Sequence, residues 1–131
     1  MSTVPNPSTL NWFEIPTADL DRASAFYQTI LGITLRRDTT DPKDLMCVFP
    51  VERTPERPAM TGALVQRAFQ PPAGQGTLVY LNCNGRLEEV LDRVPAAGGS
   101  VTHPLTPVPG GFGHFACILD TEGNTVGLHS A

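Results

Sequence analysis

Long apolar runs are missing from this sequence. No stretch approaches the roughly 18 residues that a bilayer-spanning helix requires, which excludes a membrane partner of that kind. The opening "MSTVPNPSTLNW" has neither the basic start nor the apolar run of a secretory signal, so the expected location is the cytoplasm. Basic charge is also short: nine Lys plus Arg stand against thirteen Asp plus Glu, for a formal net charge of −4. Such a chain offers no cationic field to attract phosphates, and nucleic acid is excluded as an expected partner. Cysteine is scarce and widely spaced. Cys47, Cys83 and Cys117 are odd in number and each lies among strand-like apolar residues, so they read as small buried hydrophobes, not as a disulfide framework or a zinc site. A phosphate-binding loop is absent too. "GGFGHF" has glycines but lacks the strand-to-helix order and the loop lysine, and its glycines suit a turn.

What is present fits one domain over residues 1–131, long enough to bury a real core. Leu20, Ala23, Phe26, Tyr27, Ile30 and Leu31 recur at helical spacing, with Asp19 placed to cap the first turn and Gly32 to end the last. Tyr27 belongs to the packed face of that helix. "NWFEI" before it reads as a strand stopped by Pro16; "ITLRR", "LMCVF" and "ALVQRAF" after it read as three more. The pattern then restarts. "GTLVYLNC" is a strand, and Leu87, Val90, Leu91 and Val94 form a second helical face, with Asn84 as its candidate cap and Pro95 ending or distorting its last turn. "GGSVTH", "HFACIL" and "TVGLH" complete the set, the last two joined by the turn "DTEGN".

Each half is thus strand, helix, three strands, and the helix-terminating glycines Gly32 and Gly99 stand about half a chain length apart, as an internal duplication requires. Module one spans about 8–69, "QPPAGQG" (70–76) is a linker, and module two spans about 77–131. The expected fold is α+β: two βαβββ modules whose eight strands curl as a mixed sheet around a trough, helices on the outer face, with the trough as the ligand site. The polar, proline-rich "VERTPERPAM" (51–60) is a surface loop or a flap over that trough.

"FEIPTADLDRASAFYQTILGI", "RLEEVLDRVPAAGGSV" and "FGHFACILDTEGNTVGLHS", in that order, resemble the vicinal oxygen chelate superfamily, which holds glyoxalase I, bleomycin-resistance proteins and extradiol dioxygenases. The resemblance covers nearly the whole chain and implies a homodimer. In metal-dependent members one ligand comes from each of four strands, and the matching positions here are Trp12, Leu64 or Val65, Val79 and Gly127. Asn11 would serve only after a slip of one residue, and Gln66 is the one side chain near the second position able to coordinate. None of the four supplies imidazole, thiolate or carboxylate. The resemblance therefore implies no metal and no cofactor, and neither glyoxalase I nor extradiol activity is expected of this chain.

Alternation along a strand puts Trp12 and Glu14 on one face, the trough face if the resemblance fixes the register, and Phe13 and Ile15 on the other. Glu14 then has two readings: an ion pair with an arginine that closes the trough structurally, or a functional acid. As a functional acid it would hold, beside the Trp12 indole, a ligand with an aromatic or cationic part, or it would be raised in pKa by an apolar pocket and serve as a general base. His129 shares a face with Gly127 and His114 with Ala116; His103, before Pro104, reads as exposed. The candidate ligand-binding set is Trp12, Glu14, Gln66, His114 and His129, with Glu14 the one catalytic candidate. The leading expectation is a metal-independent protein holding a small organic molecule, by sequestration or by an unassigned chemistry. The alternatives are a lyase or isomerase with Glu14 as base and His114 or His129 as acid, and a metalloenzyme with an unusual His/Glu site.

Overall fold

Asp19 starts the first helix, α1 (Leu20–Leu31): its backbone is extended and its carboxylate accepts the Arg22 N–H at 3.0 Å, satisfying one of the free donors of the first turn. Gly32, at φ 65°, ends it in the left-handed conformation that glycine adopts without a Cβ clash. The buried stripe is Leu20, Ala23, Phe26, Tyr27, Ile30 and Leu31, as the spacing predicts. The computed structural model describes residues 10–52, 54–56 and 59–131. Residues 8 and 9, at the expected start of module one, and residues 53, 57 and 58 of the expected loop or flap lie outside the described residues.

Among the described residues β1 (Trp12–Pro16), β2 (Arg36–Asp38), β3 (Leu45–Val48) and β4 (Thr61–Gln66) form one four-stranded sheet, ordered β1-β4-β3-β2. The second, from β5 (Tyr80–Asn82), β6 (Ser100–Pro107), β7 (His114–Leu119) and β8 (Thr125–Ser130), is ordered β5-β8-β7-β6. The two orders are the same order, and in each the first strand runs parallel to the fourth while the others pair antiparallel. The fold is α+β with two modules, and its eight strands divide into two hydrogen-bonded sheets and not one continuous ladder.

Two boundaries differ from expectation for physical reasons. The second helix, α2 (Leu87–Ala97), begins after Arg86 with no side-chain cap; Asn84 instead turns to the chain end, its Oδ1 accepting the Ala131 N–H at 2.7 Å. The left-handed residue ending α2 is Gly98, at φ 106°, and not Gly99; Pro95 sits in the last turn, two residues before the end. The strand β6 runs on to Pro107 because it is an edge strand, where Pro104 and Pro107 remove no inner ladder bond.

One core cluster takes residues from both modules: Leu64 and Cys47 from the first sheet, Ile118, Val126 and Leu128 from the second, and the buried stripes of both helices. Polar groups join the modules around it. Asp120, 4% exposed in the β7–β8 turn, accepts the Tyr27 hydroxyl at 2.7 Å. Glu122 in the same turn accepts the N–H groups of Ala18 and Asp19 at 2.9 and 2.8 Å and a two-point contact from Arg22. The Asn124 amide donates to the Pro16 carbonyl at 2.7 Å. At the other end of α1, Arg86 and Arg93 donate to the Leu31 and Ile30 carbonyls, placing cations where the helix dipole is negative.

Candidate functional site

Cα pairing fixes which side chains share the face of the first sheet turned away from the core. Trp12 lies opposite Thr61, Glu14 opposite Ala63, and Val48 opposite Ala63 on the far side, while Phe13 and Ile15 turn to the core. Val48, Ala63 and Val65, with Met46, form a second small apolar cluster on this face. Arg67 follows the end of β4, a strand flanked by β1 and β3, so its side chain reaches acids from both neighbours. Its Nη1 and Nη2 bond the two Glu14 carboxylate oxygens at 2.6 and 2.9 Å, and its Nε bonds Asp44 at 2.6 Å. The Trp12 indole N–H donates to Glu14 at 3.1 Å.

Of the sequence readings of Glu14, the ion-pair geometry is the one found. Hydrogen bonds from Arg67 outweigh partial burial and hold its carboxyl below the ordinary 4.5. An apolar pocket would have pushed it the other way, toward a useful base. Trp12 is the sole tryptophan, so its fluorescence reports this contact. The emission change as Glu14 protonates is expected to be centred below pH 4.5; in Arg67→Met, which removes the largest lowering contact, the midpoint should rise. A titration followed in parallel by circular dichroism checks this, and an unmoved midpoint would separate the two side chains.

The other predicted residues scatter. Gln66 points to the helix side of β4, where its Oε1 accepts the Leu20 N–H at 2.8 Å; it shares no face with Trp12 and Glu14, because neighbouring residues alternate. His114 shares its side of β7 with the fully buried Ala116 and lines a cavity of about 310 Å³ beside the start of α2, with Arg86, Leu105 and Ser130. His129 is on the uncovered face of the second sheet, opposite Phe115 and Asn82. The structure thus brings Trp12 and Glu14 together and gathers none of the histidines around them. Among the described residues no group of three or more His, Cys, Asp or Glu is placed to hold a metal ion.

The sequence reading missed Tyr80 and Phe115. With Val108 and His129 they line an apolar cleft of about 410 Å³. Phe115 meets Tyr80 edge to face at 6.2 Å and stacks on His103 at 5.0 Å. The signal was available in part: Phe115, between His114 and Ala116, has the parity opposite to the core. Its juxtaposition with Tyr80 was not, since it runs through β8, where Gly127 and His129 pair with the two strands.

A family model described as the glyoxalase/bleomycin resistance protein/dioxygenase superfamily matches residues 9–128. The chain belongs to that superfamily. Solved structures show the same fold in distant relatives. A glyoxalase/bleomycin resistance protein from Albidiferax ferrireducens T118 is 17% identical at a TM-score of 0.69, over 95% of this chain and 100% of its own. The fosfomycin resistance protein FosX from Listeria monocytogenes is 14% identical at 0.67, over 95% and 91%. A glyoxalase I mutant from Zea mays is 21% identical at 0.64 over 95% of this chain, which spans 46% of that longer one. These identities show shared fold alone. No curated protein matches the sequence.

Within the superfamily frame, three of the four positions where the resemblance puts metal ligands are occupied by packing, and the fourth holds the exposed indole of Trp12. Leu64 and Val65 are fully buried, and Val79 packs against the core. At Gly127 a Cβ would fall 2.4 Å from Cδ1 of Tyr80, whose ring takes the space of any side chain there. All three cysteines are free thiols, and burial pushes those of Cys83 and Cys117 up, away from nucleophilic thiolate. No helix among the described residues is long and apolar enough to cross a membrane.

Proposed function

We propose that this superfamily member is metal-independent and holds a small organic molecule on the uncovered face of its second sheet, sequestering it without turnover. The observation that carries the reading is the cleft lined by Tyr80, Val108, Phe115 and His129, apolar and of a volume suited to a small ligand. Two features support the absence of chemistry. The best-placed acid, Glu14, has both oxygens engaged by Arg67 and a lowered proton affinity. The side chains at the family's ligand positions are an indole, whose N–H only donates, hydrocarbon, or hydrogen, and the Tyr80 ring lies over Gly127. In this reading the protein is a cytoplasmic homodimer, the exposed Val101 and Leu105 of the edge strand β6 offering apolar surface to a second chain.

Elemental analysis of protein purified without a histidine tag is expected to find no stoichiometric transition metal. A thermal-shift screen of small organic compounds, with and without chelator, is expected to yield ligands that raise Tm equally in both. At about 100-fold excess over Kd, binding only the folded form adds about 2.7 kcal/mol. One firmly held ion per chain, or stabilisation lost with chelator, would overturn the proposal.

A further inference from the structure

We infer, resting on the reading above, that the corner between Tyr80 and Phe115 takes an uncharged, planar aromatic molecule bearing a single N–H or O–H donor. The rings of Tyr80 and Phe115 lie at 75° to one another. A flat ring laid on one presents its edge to the other, and both contacts are the arrangements that aromatic quadrupoles favour. His103 stacks behind Phe115 at an interplanar angle of 12°, which holds that ring as a platform. No acidic or basic side chain other than His129 lines the cleft, so a charged ligand would lose its water with no counter-ion to replace it.

The hydrogen-bond requirement comes from His129. Its Nε2 lies 2.8 Å from the Phe112 carbonyl oxygen, which can only accept, so Nε2 carries the proton. In the neutral ring Nδ1 is then an acceptor, and it has no partner among the described residues. A ligand donor satisfies it; a ligand without one leaves it desolvated and unpaired. Tyr80 is 49% exposed and Phe115 half-buried, so both surfaces are open to a small molecule.

Three probes of one shape separate these elements: indole, which has the donor; 1-benzothiophene, which lacks it; and indole-3-carboxylate, which adds a charge. Titrations by NMR at pH 8 are expected to move the amides of Tyr80, Phe115 and His129 with indole. The carboxylate should bind at least about tenfold more weakly and 1-benzothiophene about fivefold more weakly. His129→Phe should erase the preference for indole over 1-benzothiophene. Tyr80→Leu, at a half-exposed position whose folding a thermal melt verifies, should weaken indole at least about tenfold. Equal binding of the carboxylate, indole binding indifferent to Tyr80→Leu, or no indole binding overturns the inference. Amide shifts at Tyr80 and Phe115 that follow protein concentration and ignore indole would overturn it as well, making the corner an interface between copies. A screened ligand that shifts the same cleft but is charged, non-aromatic or without a donor sinks this specificity and leaves the proposed function standing; a ligand whose shifts map elsewhere, or no ligand of any kind, sinks both.

Discussion

Replacing Glu122 with Gln is expected to lower the unfolding free energy at pH 7 by about 3 kcal/mol, and by under about 1 kcal/mol near pH 2. The Glu122 side chain is fully buried and its carboxylate gathers donors from Arg22, Asp19, Ala18 and Thr121. Burial alone would raise its pKa, but the Arg22 contact and the backbone N–H groups together bring it down from 4.5 to about 2. At about 1.36 kcal/mol per unit, that depression corresponds to about 3 kcal/mol. The sign follows from a folded-state value below the unfolded one. The contribution is complete above about pH 4.5 and is lost as the pH falls toward 2. Glutamine mimics the protonated acid, so the variant should converge on the parent in acid. Urea melts at both pH values check this, and an equal deficit at pH 7 and pH 2 would show that shape, not charge, is what position 122 supplies.

The second large effect lies two residues earlier. Asp120→Ala is expected to cost about 3–5 kcal/mol, a substantial share of the 5–15 kcal/mol typical of a whole domain. Asp120 accepts four donors: the Tyr27 hydroxyl, the backbone N–H groups of Glu122 and Asn124, and the Asn124 amide. Alanine strands all of them in a site the native acid leaves only 4% exposed. Tyr27→Phe removes one donor and leaves the acid three, so it should cost only about 1 kcal/mol. Burial and the neighbouring acid push the Tyr27 hydroxyl well up, which keeps it a donor throughout the physiological range. A double-mutant cycle in urea reads the coupling, and additive losses would mean that Tyr27 and Asp120 do not depend on one another. Glu122 and Asp120 share a hydrogen bond, so their two losses are not expected to add.

Both acids belong to "DTEGN", which the sequence presents only as a tight turn between two strands. Nothing local marks that turn as the joint between modules: Glu122 meets Arg22 across 100 residues and Asp120 meets Tyr27 across 93. The first helix was fully legible, because Asp19, Gly32 and the apolar spacing all act within a few residues of one another. The strand "HFACIL" was legible to the residue. Glu14 shows the limit. Its strand and its face followed from alternation, but the arginine that holds it lies 53 residues away, placed there by the pairing of β1 with β4. Gln66 shows the opposite outcome: a plausible polar lining residue on paper, it spends its amide oxygen on the start of α1.

The order of elements, their repetition, the buried faces and the family were set by the chain itself, since each depends on periodicity and on residues near in sequence. Which side chains share a face of each sheet was decided only when the strands paired. Register then put Arg67 between two acids beside the first sheet and brought Tyr80, Phe115 and His129 together as an aromatic corner on the second. Cross-strand neighbours come from distant stretches of chain, and no spacing along the sequence encodes which of them will meet.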